Sequence, residues 1–121
     1  MNRSDQIDQL ATALAKAQGA ICAASKDGVN PHFKYKYATL GAIWEACRGP
    51  LSANGLSVVQ ASLLGERHVV VTTMLAHCSG QWIDNELSLP ILKLEPQAIG
   101  AAITYARRYA LGAMVGVAPE D

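Results

Sequence analysis

Leu56-Ser57-Val58-Val59-Gln60-Ala61-Ser62-Leu63-Leu64 is followed, after Gly65-Glu66, by Arg67-His68-Val69-Val70-Val71-Thr72-Thr73-Met74-Leu75-Ala76-His77-Cys78, and after Ser79-Gly80 by Gln81-Trp82-Ile83-Asp84-Asn85-Glu86-Leu87-Ser88-Leu89. Three β-prone runs separated by two-residue turn signals predict a three-stranded antiparallel meander over about 56–89. In the middle run Val69, Val71, Thr73 and Leu75 alternate with Val70, Thr72, Met74 and Ala76, so both faces are apolar. Such a strand belongs in the centre of a sheet, covered on both sides by helices or by another protomer.

Helical periodicity flanks these runs. Upstream, Thr39 can cap a helix over about 39–54 that buries Leu40, Ile43, Trp44, Cys47 and Leu51, with Pro50 bending or dividing it and Gly55 at the left-handed end. Further upstream, Ile7, Leu10, Leu14, Ala17 and Ile21 mark a helix over about 4–25 with Ser4 as its cap and Asp5 at its positive end. Downstream, Pro96 can open a helix over about 96–115 whose Ile99, Ala102, Ala106, Ala110 and Ala113 share one side. Its alanines imply close approach to the sheet. Asp27-Gly28-Val29-Asn30-Pro31 is a dense turn signal. If His32 to Tyr37 is extended, Phe33, Tyr35 and Tyr37 share one face while His32, Lys34 and Lys36 share the other. The chain of 121 residues, half of them apolar, thus reads as one α+β domain over 1–121 with flanking helices on the meander.

Ten Lys and Arg balance ten Asp and Glu, which on its face argues against a polyanionic partner. The balance is regional. Gly28 to Trp44 holds Lys34 and Lys36 and no acid; Pro96 to Pro119 holds Arg107 and Arg108 and no acid; every carboxylate lies elsewhere. All four tyrosines, Tyr35, Tyr37, Tyr105 and Tyr109, and the lone Phe33 fall in the same two segments. Rings that stack on bases, interleaved with cations that track phosphates, compose a single-strand nucleic-acid surface. The same residues also suit a simpler description, tyrosines edging the core beside solvated charges. On the last helix Gln97, Thr104 and Arg108 lie opposite the alanine side with Tyr105 beside them, while Arg107 and Tyr109 flank the edges. Arginine suits a planar, bidentate grip on phosphate.

Other chemistries find little support. Cys22, Cys47 and Cys78 are odd in number and lack Cys-x-x-Cys spacing, and His32, His68 and His77 are scattered, so neither a disulfide framework nor a metal centre is expected. Gly-rich phosphate loops and nucleophile elbows are absent. Asp84 and Glu86 share a strand face, and with His68 they would be the site of a small enzyme if there were one; a solvated face is the simpler account. The amino terminus lacks an apolar leader and no run is long enough to span a bilayer, which points to a cytoplasmic protein.

Three segments carry a specific resemblance: Phe33-Lys34-Tyr35-Lys36-Tyr37-Ala38-Thr39-Leu40, Pro50-Leu51-Ser52-Ala53-Asn54-Gly55-Leu56, and above all Gln97-Ala98-Ile99-Gly100-Ala101-Ala102-Ile103-Thr104-Tyr105-Ala106-Arg107-Arg108-Tyr109-Ala110-Leu111. Together they resemble the ERF family of phage single-strand annealing proteins across almost the whole chain. The resemblance implies a β-β-β-α core similar to that of the eukaryotic annealing recombinases, assembled into homo-oligomeric rings or filaments with a basic groove. It implies ATP-independent annealing of complementary single strands in phage recombination and repair, with no cofactor and no bond-making catalysis, in the bacterial host cytoplasm. Partners would be single-stranded DNA, the annealed duplex intermediate, a phage exonuclease and a host single-strand binding protein. Lys34, Lys36, Arg107 and Arg108 would hold phosphates, and Tyr35, Tyr37, Tyr105 and Tyr109 would include base-stacking or groove-shaping rings. The acidic run and variable tail common in the family would follow Glu120-Asp121 and are missing here.

Overall fold

In the computed structural model, which describes residues 1–32 and 34–119, the chain forms in order β1 (Asn2–Arg3), α1 (Asp8–Ala20), β2 (Gly28–Val29), β3 (Lys36–Tyr37), α2 (Leu40–Ala53), β4 (Leu56–Gly65), β5 (His68–His77), β6 (Trp82–Pro90) and α3 (Pro96–Val115). Phe33, Glu120 and Asp121 lie outside the described residues, and with them the expected place of Phe33 beside Tyr35 and Tyr37. The architecture is α+β: an antiparallel sheet in the order β1-β6-β5-β4, three helices, and a separate β2-β3 hairpin.

The long strands form where alternation and turn residues place them. Leu56 pairs with His77 and Gly65 with His68 across β4 and β5; Ala76 pairs with Trp82 and His68 with Pro90 across β5 and β6. The first turn falls one residue later than the sequence suggests, on Glu66-Arg67, with Arg67 in the left-handed region at φ 54°.

Helices cover one side of the sheet. Val69, Val71, Thr73 and Leu75 on β5 are fully buried beneath them, and Leu75 joins Leu10, Ala17, Ile43, Cys47, Leu51, Leu111 and Val115 in the core. Burying each of these larger aliphatic side chains stabilises the fold by about 1.5–3 kcal/mol. Thr73, the buried polar side chain of this face, accepts a hydrogen bond from Gln60 Nε2 at 3.0 Å. Among the described residues the second apolar face of β5 is open: Val70 and Met74 are half-buried opposite the exposed Leu63 and Val59 of β4.

The amino-terminal segment differs from the sequence reading. Asn2 and Arg3 pair antiparallel with Asp84 and Ile83, and Ser4 extends the contact by donating its N–H to Trp82 O at 2.9 Å and accepting at its side-chain Oγ from Trp82 N at 3.0 Å. Ser4 therefore serves the sheet, and α1 starts only at Asp8. Its first turn is satisfied from the residue before β6: Gln81 Oε1 accepts from Leu10 N at 3.0 Å while Gln81 Nε2 donates to Asp8 Oδ1 at 2.9 Å. The helix ends at Ala20, five residues short of the expected limit, because the chain turns extended at Ile21 and Ala24 N bonds to Ala118 O at 2.9 Å.

Thr39 caps α2 as expected, its side chain accepting from Ala42 N at 3.2 Å. Pro50 lies inside a helix that continues undivided to Ala53, and Gly55 takes the left-handed conformation at φ 72°. Trp44 is exposed, with Ala42 buried instead. On α3 the buried residues are Ala106, Leu111, Gly112 and Val115, whereas Ala113 is exposed. The stripe is rotated from the expected alanine side because α3 packs against α2 as well as β5. At Gly112 an added Cβ would lie 3.3 Å from Val117 O and 4.0 Å from Ile43 Cδ1. No helix among the described residues is long and apolar enough to cross a membrane.

Candidate nucleic-acid interface

Of the segment expected to run extended from His32 to Tyr37, Lys36 and Tyr37 form β3, whereas His32, Lys34 and Tyr35 lie in the loop of the β2-β3 hairpin. Asn30 closes it: its N–H donates to Tyr35 O at 2.9 Å, its carbonyl accepts from Lys34 N at 2.7 Å, and its Oδ1 accepts from His32 N at 2.9 Å. Lys34 is thereby held at φ 55°, which breaks the in-out alternation of the sequence reading. Tyr35 and Tyr37 still meet, their rings 6.3 Å apart and edge to face. Gly28 lets the Tyr37 ring lie against the backbone of β2; a Cβ there would fall 2.6–2.9 Å from three ring atoms.

Asp27 anchors this hairpin to α2. Its Oδ1 accepts from Thr39 Oγ1 at 2.8 Å and Thr39 N at 3.1 Å, and these bonds hold its carboxyl below the ordinary aspartate range. The hairpin is thus presented to α3, where Tyr105 and Tyr109 stand with ring centroids 4.6 Å apart. The hydrogen-bonded Tyr109 beside it raises the Tyr105 phenol above its ordinary value, against the opposing charge of Arg108. Arg108 occupies the centre: its guanidinium carbon is 4.6 Å from the Tyr37 centroid, 5.2 Å from that of Tyr105 and 5.0 Å from that of Tyr109. Two elements distant in sequence, both rich in tyrosine and cation, are joined by one guanidinium.

Two cavities open beside this cluster. One, about 380 Å³, is lined on its polar side by Lys26, Lys36 and Arg108 and on its apolar side by Ile43, Ala113 and Val117 among others. The other, about 500 Å³, is lined by Val29, Pro31, Leu40, Gly100 and Ala101 together with Asn30, Thr39 and Thr104. Tyr35, Tyr37, Tyr105 and Arg108 line both, and among the described residues neither is lined by a carboxylate. Tyr35, Tyr105 and Tyr109 keep about half of their surface exposed.

A model of the ERF superfamily matches residues 10–121. The chain belongs to the ERF superfamily. No curated protein and no solved structure matches it.

In this ERF chain the eight residues singled out from sequence do not form one surface. Six gather at the cavities: Tyr35, Tyr37, Tyr105, Tyr109, Lys36 and Arg108. Lys34 stands in the hairpin loop and lines neither cavity. Arg107 points to the other flank of α3, donating from Nε to Gln60 Oε1 at 3.3 Å, in a groove with Trp44, Val58 and Leu111. Consecutive residues on a helix are about 100° apart, so a core-facing helix must send two adjacent arginines to different sides.

Lys26 was missed. It sits outside the acid-free segments, beside Asp27, yet it lines the cavity. Exposed Trp44 was likewise read as core, because its spacing matches the apolar side of α2. Asp84, Glu86 and His68 do not converge. Asp84 accepts from Asn2 N at 3.3 Å, His68 Nδ1 lies 2.7 Å from Glu66 O, and in β5 register the two acids sit opposite Met74 and Thr72. Thr72 is four residues from His68, about 13 Å along the strand.

Proposed function

We propose that this chain binds single-stranded DNA and anneals complementary strands without ATP, acting in phage homologous recombination and repair. The observation that carries the reading is the pair of cavities built around Arg108, lined by Tyr35, Tyr37 and Tyr105 and by no carboxylate among the described residues, in a member of the ERF superfamily. Cations and aromatic rings without acids bind single strands of any sequence. Lys36, Lys34 and Arg107 would track phosphates, Tyr109 would contribute a further ring, and Arg108 would hold the strand at the cavities. The role is one of pairing rather than bond making: the protein holds strands extended with base edges available, and duplex formation supplies the driving free energy.

The β-β-β-α core of the annealing recombinases corresponds in this reading to β4, β5, β6 and α3, and the subunits assemble into rings or filaments. Repeating a modest cationic site around a ring multiplies its effect on one strand, which reconciles DNA binding with a net charge of zero. Within a bacterial host's cytoplasm, an exonuclease that exposes single strands and a host single-strand binding protein would act beside it.

The test is annealing of two complementary fluorescent oligonucleotides in EDTA without nucleotide, titrated with protein and corrected for spontaneous pairing. Acceleration peaking near full coverage of the strands is expected. Tight strand binding with no acceleration would replace annealing with simple strand protection.

A further inference from the structure

We propose that the two cavities take two successive nucleobases of one strand, with the wall of Tyr37, Tyr105 and Arg108 entering the step between them. Arg108 then acts on bases by stacking and not on phosphate. The proposal rests on the single-strand-binding reading above and assigns the chemistry of its central site.

Four observations carry it. The cavities are separate in lining except for Tyr35, Tyr37, Tyr105 and Arg108, so the shared residues are a partition between two spaces. Each space has room for a planar heterocycle, at about 380 and 500 Å³, and combines apolar walls with a few polar side chains, as small-molecule sites do. The Arg108 guanidinium lies within 5.2 Å of three ring centroids, half-buried, with no carboxylate partner among the described residues. A planar cation packed on rings in this way is a stacking surface already desolvated; turning it outward to a phosphate would forfeit all three ring contacts. Finally, Lys36 lines the first cavity and is free to meet the backbone that joins the two bases, leaving Arg108 to the bases themselves.

The bland account of the tyrosines, that they edge the core, does not explain Tyr35 and Tyr109 at 53 % exposure each, nor rings gathered around a cation instead of around aliphatic side chains. A strand gripped through one base step per subunit leaves the intervening bases unstacked from the protein, which suits a surface on which a second strand must find its complement.

The experiment compares binding of the full chain to a natural oligodeoxynucleotide and to a strand of the same length built of abasic sugar-phosphate units, each across a salt series. The natural strand is expected to bind at least about 10-fold more tightly, the abasic strand retaining the salt slope. Arg108→Lys, which keeps the charge and removes the planar surface, is expected to weaken natural-strand binding about 10-fold and to leave both the abasic affinity and the salt slope unchanged. Equal affinity of wild type for the two strands overturns base insertion while leaving single-strand binding intact. A variant that weakens both strands alike overturns the stacking role of Arg108. Binding of neither strand overturns the underlying reading and this proposal with it.

Discussion

Gly28→Ala adds one methyl group and no charge, and the structure says where it goes. The backbone there is not among the positive-φ glycines, Gly55, Gly80 and Gly116, so alanine is conformationally permitted and would by itself stabilise the chain by about 0.4–1 kcal/mol. Its Cβ, however, would lie 2.6, 2.7 and 2.9 Å from three atoms of the Tyr37 ring. Ordinary carbon contacts are about 3.5–4.0 Å, so the ring must retreat by about 1 Å. Overpacking of this kind costs about 1–3 kcal/mol, which leaves a net destabilisation of about 1–2 kcal/mol. Thermal unfolding should register it as a fall in Tm of about 4–8 °C. The decisive comparison is a double-mutant cycle with Tyr37→Ala. With the ring gone the clash goes too, and Gly28→Ala should become neutral or stabilising, an interaction energy of about 2 kcal/mol. Because the Tyr37 ring is 4.6 Å from the Arg108 guanidinium, the single variant should also bind the natural oligonucleotide more weakly. Equal destabilisation in both backgrounds would refute the close packing of Tyr37 on Gly28.

Three further outcomes are expected. Leu75→Ala, at a position with no exposed surface in the centre of the core, should cost about 2–5 kcal/mol in urea unfolding. Asp27→Asn should destabilise at neutral pH. The lowered Asp27 pKa means that its carboxylate contributes above the unfolded-state value, and the difference from wild type should vanish as pH falls through the folded-state value, below about pH 4. Of the three thiols, the exposed Cys22 and Cys78 should react with a disulfide reagent in the native protein, whereas Cys47, buried and with its pKa raised by burial, should react only on unfolding.

What the sequence made legible follows from the range of the forces involved. Strands β4 to β6 and the start of α2 are set by local signals: alternation over ten residues, two-residue turns, a threonine whose hydroxyl reaches the N–H three residues on. β1 carries no such signal. Asn2 and Arg3 are strand residues because β6 offers an edge, about 80 positions away in sequence. The start of α1 was misplaced for a related reason: Gln81, not Ser4, supplies the side-chain partners of its first turn. In the hairpin, aromatic residues at alternate positions imitate a longer strand, and the bonds of Asn30 to Lys34 and Tyr35 make a loop before β3.

The site was legible in composition and not in arrangement. Counting charges identified two acid-free segments, and the structure brings them together around Arg108. Which of two adjacent arginines would face the tyrosines depended on the face α3 buries, and that is decided by packing against α2 and β5 together. Lys26 shows the limit of counting most clearly. Its neighbour Asp27 makes the segment look neutral, yet both Asp27 bonds to Thr39 direct that carboxylate to the start of α2, and it does not line the cavity that Lys26 lines. Charge along a chain becomes charge on a surface only after hydrogen bonding has assigned each carboxylate a place. Among the described residues, the carboxylate next to Lys26 in sequence is held away from the cavity by its bonds to the helix cap. Asp27→Asn should accordingly leave the cavity's cations in place, and any loss of strand binding in that variant would come from a loosened hairpin rather than from altered charge.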